Sequence, residues 1–169
     1  MILNFKIQKQ ILDNWCWAAL SSSISFYYND NSKWTQGVIA SVLLGHDSCS
    51  TVNINNASIA PPVCDQVVDI SNALKQTGNY ATEILRPLAF NEIINQIDGG
   101  WPVCCQILWK EYSVSHFVAI YGYQGNDLII GDPESGVCTV DYNQFVNSYR
   151  GGAWKRSIGT QANNSNNLI

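Results

Sequence analysis

The sequence has few charged residues and no cluster of basic ones. Lys, Arg, Asp and Glu make up 13% of its 169 residues, and the formal net charge is -4 at pH 7. A protein that binds nucleic acid normally carries a basic stripe or patch, so we expect no nucleic-acid partner. No apolar run reaches the roughly 18 residues of a membrane span, so we expect no membrane partner either.

The first residues also lack a charged segment followed by a long apolar run, so no signal peptide is visible in this sequence. Six cysteines are nevertheless many for a cytosolic enzyme of this size. The polar residues are mainly uncharged Asn, Ser, Thr and Gln rather than Lys and Glu. Together these features favour a secreted or exported protein, with a cytoplasmic one as the alternative.

The cysteines lack the closely spaced pairs of a structural zinc site, and we predict no metal and no cofactor. Cys49 and Cys64 flank a loop rich in Asn, Ser and Pro, and the sequence leaves open whether they form a disulfide. Cys104 and Cys105 are adjacent in an apolar run. Side chains of neighbouring strand residues point to opposite faces, so we interpret these two as small buried hydrophobic residues.

The hydrophobic period changes near residue 100, from helical to strand-like. We therefore predict an α+β fold with the active site in the cleft between its two parts. A single domain is expected over residues 1–160, with a helical lobe over 1–100, a β lobe of antiparallel strands over 101–160, and a flexible polar tail over 161–169. The predicted helices are 16–28, 35–44, 65–77, 90–98 and 141–149, and the predicted strands are 103–109, 116–123, 128–131, 137–140 and 153–158.

Cys16 stands at the predicted start of the first helix, between Trp15 and Trp17. The positive end of a helix dipole favours a thiolate over a thiol, and the thiolate is the nucleophile. Gln10, six residues earlier, could offer an amide N–H to an oxyanion near that sulfur. Taken singly, Gln10 is equally a polar residue on an entry segment, and the two tryptophans are most often packing residues.

A cysteine nucleophile needs a base, and the sequence has two histidines. His46 lies in a polar loop and is interpreted as having no role. His116 begins an apolar strand, which is a rigid platform at the edge of a cleft; alone, it is equally a strand-edge histidine with no role. If that strand and the next form a hairpin through the turn at 124–126, Asp132 comes to lie beside the imidazole and can orient it. Alone, Asp132 before a proline is equally an ordinary turn residue.

Several of these segments resemble papain-fold cysteine peptidases, in particular the bacterial branch that contains the AvrRpt2-type proteases and the C39-type leader peptidases. The resemblance covers roughly residues 6 to 150. It rests on Gln10 with residues 14–19, on 97–103, on 116–123, on 131–133 and on 141–145. It implies a papain-like fold with Cys16 as nucleophile, His116 as base and acid, Asp132 as orienting residue and Gln10 in the oxyanion hole.

The predicted function is therefore that of a cysteine endopeptidase, a monomer that acts on a protein or peptide substrate through a thioester on Cys16. One alternative keeps the fold but moves the acyl transfer to side chains, as in a deamidase, transglutaminase or isopeptidase, possibly in a secreted toxin or effector. Another is a peptide-binding protein with a relic site. Because no ATPase or transmembrane region accompanies the domain, a free-standing protease is favoured over a transporter-linked one.

Overall fold

The computed structural model describes residues 1–109 and 114–163 of the chain. The predicted tail over 161–169 therefore lies outside the described residues from position 164 onward. Within the described part of the chain, no helix is long and apolar enough to cross a membrane.

Helix α1 (Cys16–Tyr28) is the centre of the helical part and has the predicted bounds. Every residue from 16 to 25 is buried. Alanine and serine fill much of this stretch, and such small side chains let neighbouring elements approach the helix closely from several sides. Helix α1 accordingly packs against α2 (Gln36–Leu44), α3 (Ile70–Thr77) and the sheet strand β3 (Val114–Gln124).

The ends of the other helices follow from capping residues. Thr35 accepts a hydrogen bond from the Val38 N–H at the start of α2, and Gly45, with φ of 71°, ends it, as predicted. Helix α4 (Phe90–Asp98) also matches its prediction. Helix α3 starts five residues later than predicted, because Asp69 rather than Asp65 caps it by accepting from the Ser71 N–H.

Residues 47–64 form an irregular segment between α2 and α3, with 3-10 turns at Asp47–Cys49, Ala57–Ile59 and Pro62–Cys64. Cys49 and Cys64 are joined by a disulfide, which settles the question that the sequence leaves open. The disulfide closes this segment into a loop.

The β part is a six-stranded antiparallel sheet in the order β1-β6-β2-β3-β4-β5. The central strand pair is β2 with β3, and the β3–β4 hairpin is the one expected from the turn at 124–126. Helix α5 (Tyr142–Ser148) connects β5 to β6. The strands are β1 (Tyr80–Ile84), β2 (Val103–Trp109), β3 (Val114–Gln124), β4 (Asp127–Asp132), β5 (Gly136–Asp141) and β6 (Ala153–Thr160).

Strand β1 is the element that the sequence did not predict. It is five residues long, lies at the sheet edge, and contains no fully buried residue. Such a short, half-exposed edge strand lacks the apolar alternation by which a strand is usually detected. The prediction of helices followed by an antiparallel sheet is otherwise confirmed.

Candidate active site

The start of α1 is held by the segment that follows the disulfide. The Trp15 indole N–H donates to the Cys64 carbonyl at 2.6 Å, and the Trp17 indole N–H donates to the Gln66 carbonyl at 3.0 Å. The Asp65 carboxylate accepts from the Asn14 N–H at 2.9 Å. The two tryptophans are fully buried packing residues, as interpreted, and each also fixes the position of the helix start through its indole N–H.

Cys16 is the first residue of α1 and is not part of a disulfide. The residue before it, Trp15, donates its indole N–H to the Cys64 carbonyl, and its side chain makes no capping hydrogen bond to the helix. The first N–H groups of a helix have no intrahelical partner, so those of α1 remain oriented toward the Cys16 end. This end of the helix therefore presents both a sulfur and a set of donors suited to negative charge.

His116 lies on β3 and interacts with both Asp132 and Cys16. Its Nε2 lies 2.7 Å from Asp132 Oδ1, and Cys16, which lines the same pocket, is close enough to raise the pKa of the imidazole. Because Nε2 is used by the carboxylate, Nδ1 is the ring nitrogen left for the sulfur. The predicted hairpin therefore brings together Cys16, His116 and Asp132, in that order, from the helix start and two adjacent strands.

Asp132 ends β4 and is almost completely buried, at 1% exposure. Both carboxylate oxygens have partners. Besides His116, Oδ1 accepts from the Glu134 N–H at 2.9 Å, while Oδ2 accepts from the Tyr149 hydroxyl at 2.9 Å and lies 3.8 Å from Arg150 Nε. Burial alone would raise the pKa of Asp132, but these donors and the His116 charge outweigh it and lower that pKa.

The pKa of His116 is shifted in the opposite direction. Burial acts to lower it, but interactions with Asp132 and Cys16 outweigh burial and raise the pKa of His116 to about 9. Both neighbours thus favour the protonated form of the imidazole. An imidazolium between a carboxylate and a sulfur is the arrangement that holds a cysteine ready as a nucleophile.

Gln10 lines the same pocket, but its amide is engaged with the backbone. Its Nε2 donates to the Leu12 carbonyl at 3.2 Å and to the Asp13 carbonyl at 2.6 Å. Its Oε1 is buried without a hydrogen-bond partner. Gln10 N–H also donates to the Pro133 carbonyl at 2.9 Å, which connects the entry segment to the turn after Asp132.

An open pocket of about 430 Å³ gives access to Cys16 and His116. Trp15, the neighbour of Cys16 in sequence, is fully buried and is not among the lining residues. The pocket is lined by Gln10, Asp13, Asn14, Cys16, Val67, Trp109, Ser115, His116 and Glu134.

Sequence reasoning missed the residues that surround the histidine. The Trp109 ring packs on His116 with ring centroids 5.8 Å apart, and the Trp109 indole N–H donates to the Arg150 carbonyl at 2.8 Å. Tyr149 reaches Asp132 from the end of α5. An aromatic residue at the end of β2 and the Tyr-Arg-Gly-Gly run at 149–152 are the only local signals, and neither indicates a partner so distant in sequence.

The other residues considered in the sequence lie outside this arrangement. His46 is exposed and is not among the pocket residues. Cys104 and Cys105 are fully buried and unpaired, which confirms their interpretation as packing residues, and burial raises the pKa of each thiol. Within residues 1–109 and 114–163, no group of three or more His, Cys, Asp or Glu side chains is placed to hold a metal ion.

The fold is that of C39 peptidase domains. The peptidase domain of Streptococcus ComA, a bifunctional ABC transporter involved in quorum sensing, is 21% identical, with a TM-score of 0.59 over 92% of this chain and 96% of that one. The peptidase domain of Streptococcus mutans ComA is 19% identical, with a TM-score of 0.53 over 93% and 99%. A double glycine motif protease from an AMS/PCAT transporter, solved with its leader peptide, is 18% identical, with a TM-score of 0.53 over 94% and 93%.

Among curated protein sequences, none matches the chain. Residues 2–156, however, match the family described as the Peptidase_C39 like family, and the chain belongs to that family. It is accordingly a C39-like cysteine peptidase, a hydrolase of peptide bonds, which confirms the resemblance drawn from residues 6 to 150.

Proposed function

We propose that the protein is a cysteine endopeptidase in which Cys16 is the nucleophile, His116 the general base and acid, and Asp132 the residue that orients the imidazole. One observation carries this assignment: a buried imidazole is hydrogen bonded to a carboxylate whose two oxygens both have partners, and it shares a pocket with the helix-start cysteine, which raises the pKa of the imidazole. We further propose one peptidase domain over residues 1–160, acting as a monomer.

The reaction begins with attack of the Cys16 sulfur on a peptide carbonyl carbon. His116 takes the proton of the Cys16 thiol, the carbonyl electrons move to the oxygen, and a tetrahedral oxyanion forms. As the C–N bond breaks, His116 gives that proton to the leaving amine and a thioester remains. Water, deprotonated by His116, then attacks the thioester, releases the carboxylic acid and restores the sulfur.

The oxyanion would be held by the N–H of Cys16 at the helix start and by the Gln10 amide. In the structure the Gln10 Nε2 is bonded to two backbone carbonyls, so this role requires the amide to exchange one of them for the oxyanion. Gln10 is well placed for such an exchange, because it lines the pocket with Cys16 and its Oε1 has no hydrogen bond that rotation of the amide would break.

A protein or peptide is the substrate. The double glycine motif protease, which shares the fold, was solved with a leader peptide, and a peptide of that kind is one candidate here. The disulfide between Cys49 and Cys64 favours an oxidising compartment, so we propose that the enzyme works after secretion or export.

The test is incubation of the purified protein with a diverse peptide library, with products read by mass spectrometry and Cys16→Ala as the matched control. We expect new peptide termini with the wild type and none with the variant. Equal cleavage by both proteins would refute the assignment of Cys16. A mass gain of about one dalton on glutamine without chain cleavage would instead indicate side-chain deamidation by the same thioester.

A further inference from the structure

The turn between α5 and β6 supports the histidine from two directions. Tyr149 and Gly152 face each other in an isolated antiparallel bridge, with Arg150 and Gly151 between them. Arg150 has φ of 48° and is the one non-glycine residue with positive φ among residues 1–109 and 114–163; Gly151 follows with φ of 83°. A side chain in this left-handed region is strained, and such strain persists where the surroundings hold it in place.

Tyr149 is the first support, and it acts on Asp132. Its hydroxyl donates to Oδ2 at 2.9 Å, whereas His116 and the Glu134 N–H occupy Oδ1. The carboxylate is therefore bound at both oxygens by groups from different elements and cannot rotate without breaking one of these bonds. The tyrosine ring itself is 3% exposed and packs on Phe145 at 5.1 Å, so the hydroxyl position is fixed by the core.

The backbone of Arg150 is the second support, and it acts on Trp109. The Arg150 carbonyl accepts the indole N–H at 2.8 Å, and the indole packs on the His116 ring. The turn approaches β2 so closely that a Cβ at Gly152 would lie 2.6 Å from Ile107 Cγ2 and 3.1 Å from the indole. The strained conformation of Arg150 is thus the one that brings its carbonyl to Trp109.

We propose that the turn Tyr149–Gly152 is a positioning element of the active site. The Tyr149 hydroxyl sets the orientation of Asp132, and the Arg150 carbonyl sets that of Trp109. Together, Asp132 and Trp109 hold the His116 ring in place next to Cys16. This inference rests on the proposed function, since it assigns the turn a role in the same site. Tyr149 and Arg150 do not touch the reacting atoms and act through Asp132 and Trp109.

The charges around the turn are consistent with a donating hydroxyl. Burial and the neighbouring Asp132 carboxylate raise the pKa of Tyr149, so the phenol keeps its proton over the working range of a peptidase. The groups that face it are Asp132, the Arg150 guanidinium and the Cys138 thiol, whose sulfur lies 3.7 Å from the hydroxyl. With a carboxylate at 2.9 Å, the hydroxyl proton has its strongest acceptor in Asp132.

The test compares Tyr149→Phe with Tyr142→Phe, which removes the same atom from the tyrosine that begins α5. The Tyr142 hydroxyl donates to the Leu88 carbonyl at 3.0 Å, whereas it is Tyr149 that donates to Asp132. We expect Tyr149→Phe to lower kcat by about tenfold or more, as for loss of a hydrogen bond to a charged group, with KM unchanged. Tyr142→Phe should leave both constants at the wild-type values.

A second readout does not depend on activity. The proton shared by His116 Nε2 and Asp132 Oδ1 should give a protected low-field proton NMR signal in the wild type and in Tyr142→Phe. In Tyr149→Phe we expect that signal to broaden or to exchange faster with water. If Tyr149→Phe matches Tyr142→Phe in both kcat and this signal, the positioning role is refuted.

The two readouts also separate this inference from the proposed function. If Cys16→Ala were as active as the wild type, the proposed function would fail, yet the low-field signal would still report on the support of His116 by the turn. Should Tyr149→Phe not fold, Trp109→Phe removes the bond to the Arg150 carbonyl instead, and an unchanged kcat and low-field signal in that variant would equally refute the proposal.

Discussion

Replacing Asp132 by alanine tests how much of the proposed activity depends on the charged state of His116. The pKa of His116 is about 9, against an ordinary value of 6.5. At about 1.4 kcal/mol for each pH unit, the folded protein favours the protonated imidazole by about 3 kcal/mol. Burial opposes that preference, so the interactions with Asp132 and Cys16 supply all of it.

Without Asp132, burial remains and the main acceptor is lost, so the imidazolium paired with the Cys16 sulfur should no longer be favoured. We expect Asp132→Ala to lower kcat/KM by roughly a hundredfold, since about 3 kcal/mol corresponds to about that factor. Asp132→Asn should be milder, roughly tenfold. An asparagine oxygen can still accept from His116 Nε2, and the Tyr149 hydroxyl can change from donor to acceptor for the new amide group.

The assay is kcat/KM as a function of pH on a peptide identified from the library. The wild type should lose activity as the pH rises through about 9, where His116 loses its proton. In Asp132→Asn this loss of activity should occur at lower pH, because removal of the negative charge lowers the pKa of His116. The control is Asp69→Asn, which removes a carboxylate bonded to Arg156 at 2.6 Å outside the pocket. An Asp132→Ala enzyme within twofold of that control would refute the reasoning.

Three further predictions concern the oxyanion, the pH dependence of stability and the disulfide. Gln10→Ala should lower kcat by roughly 10²–10³ with little change in the unfolding midpoint, and an unchanged kcat would remove Gln10 from the oxyanion hole. The pKa of His116 in the folded protein lies above its value in the unfolded chain, so its contribution to the free energy of unfolding is complete below about pH 6.5 and is lost as the pH rises through about 9. Urea unfolding should show this as a decrease of up to about 3 kcal/mol in the free energy of unfolding over that range. The decrease should be absent in His116→Gln. Loss of the disulfide, by Cys49→Ser with Cys64→Ser, should destabilise the protein by about 3 kcal/mol for a loop of 15 residues, and urea unfolding unchanged from wild type would contradict this.

The sequence predicted best those features that depend on local pattern. Helices α1 and α4 have their predicted bounds because a continuous stretch without Gly or Pro defines the first, and Gly99-Gly100 ends the second. The contact between His116 and Asp132 was also predictable, since the turn at 124–126 fixes the hairpin register to within one bulge. That bulge occurs between Ile120 and Gly122.

Features that depend on distant contacts were not predictable in the same way. Asp65 and Asp69 are equally good helix starts by sequence, and the later one caps α3 because Asp65 is used to hold Asn14, 51 residues earlier. The contact of Tyr149 with Asp132 likewise joins two elements whose packing is set by the whole sheet. Residue type alone does not identify such a partner.

The most direct measurement for the central claim is the rate at which iodoacetamide alkylates each cysteine at mildly acidic pH, read by peptide mapping of a single sample. Cys138 is half-buried and serves as the internal reference. If Cys16 is held as a nucleophile by His116, it should be alkylated much faster than Cys138 in the wild type, and that advantage should disappear in His116→Gln. Equal rates for Cys16 and Cys138 in the wild type, or an advantage that persists without His116, would contradict the account.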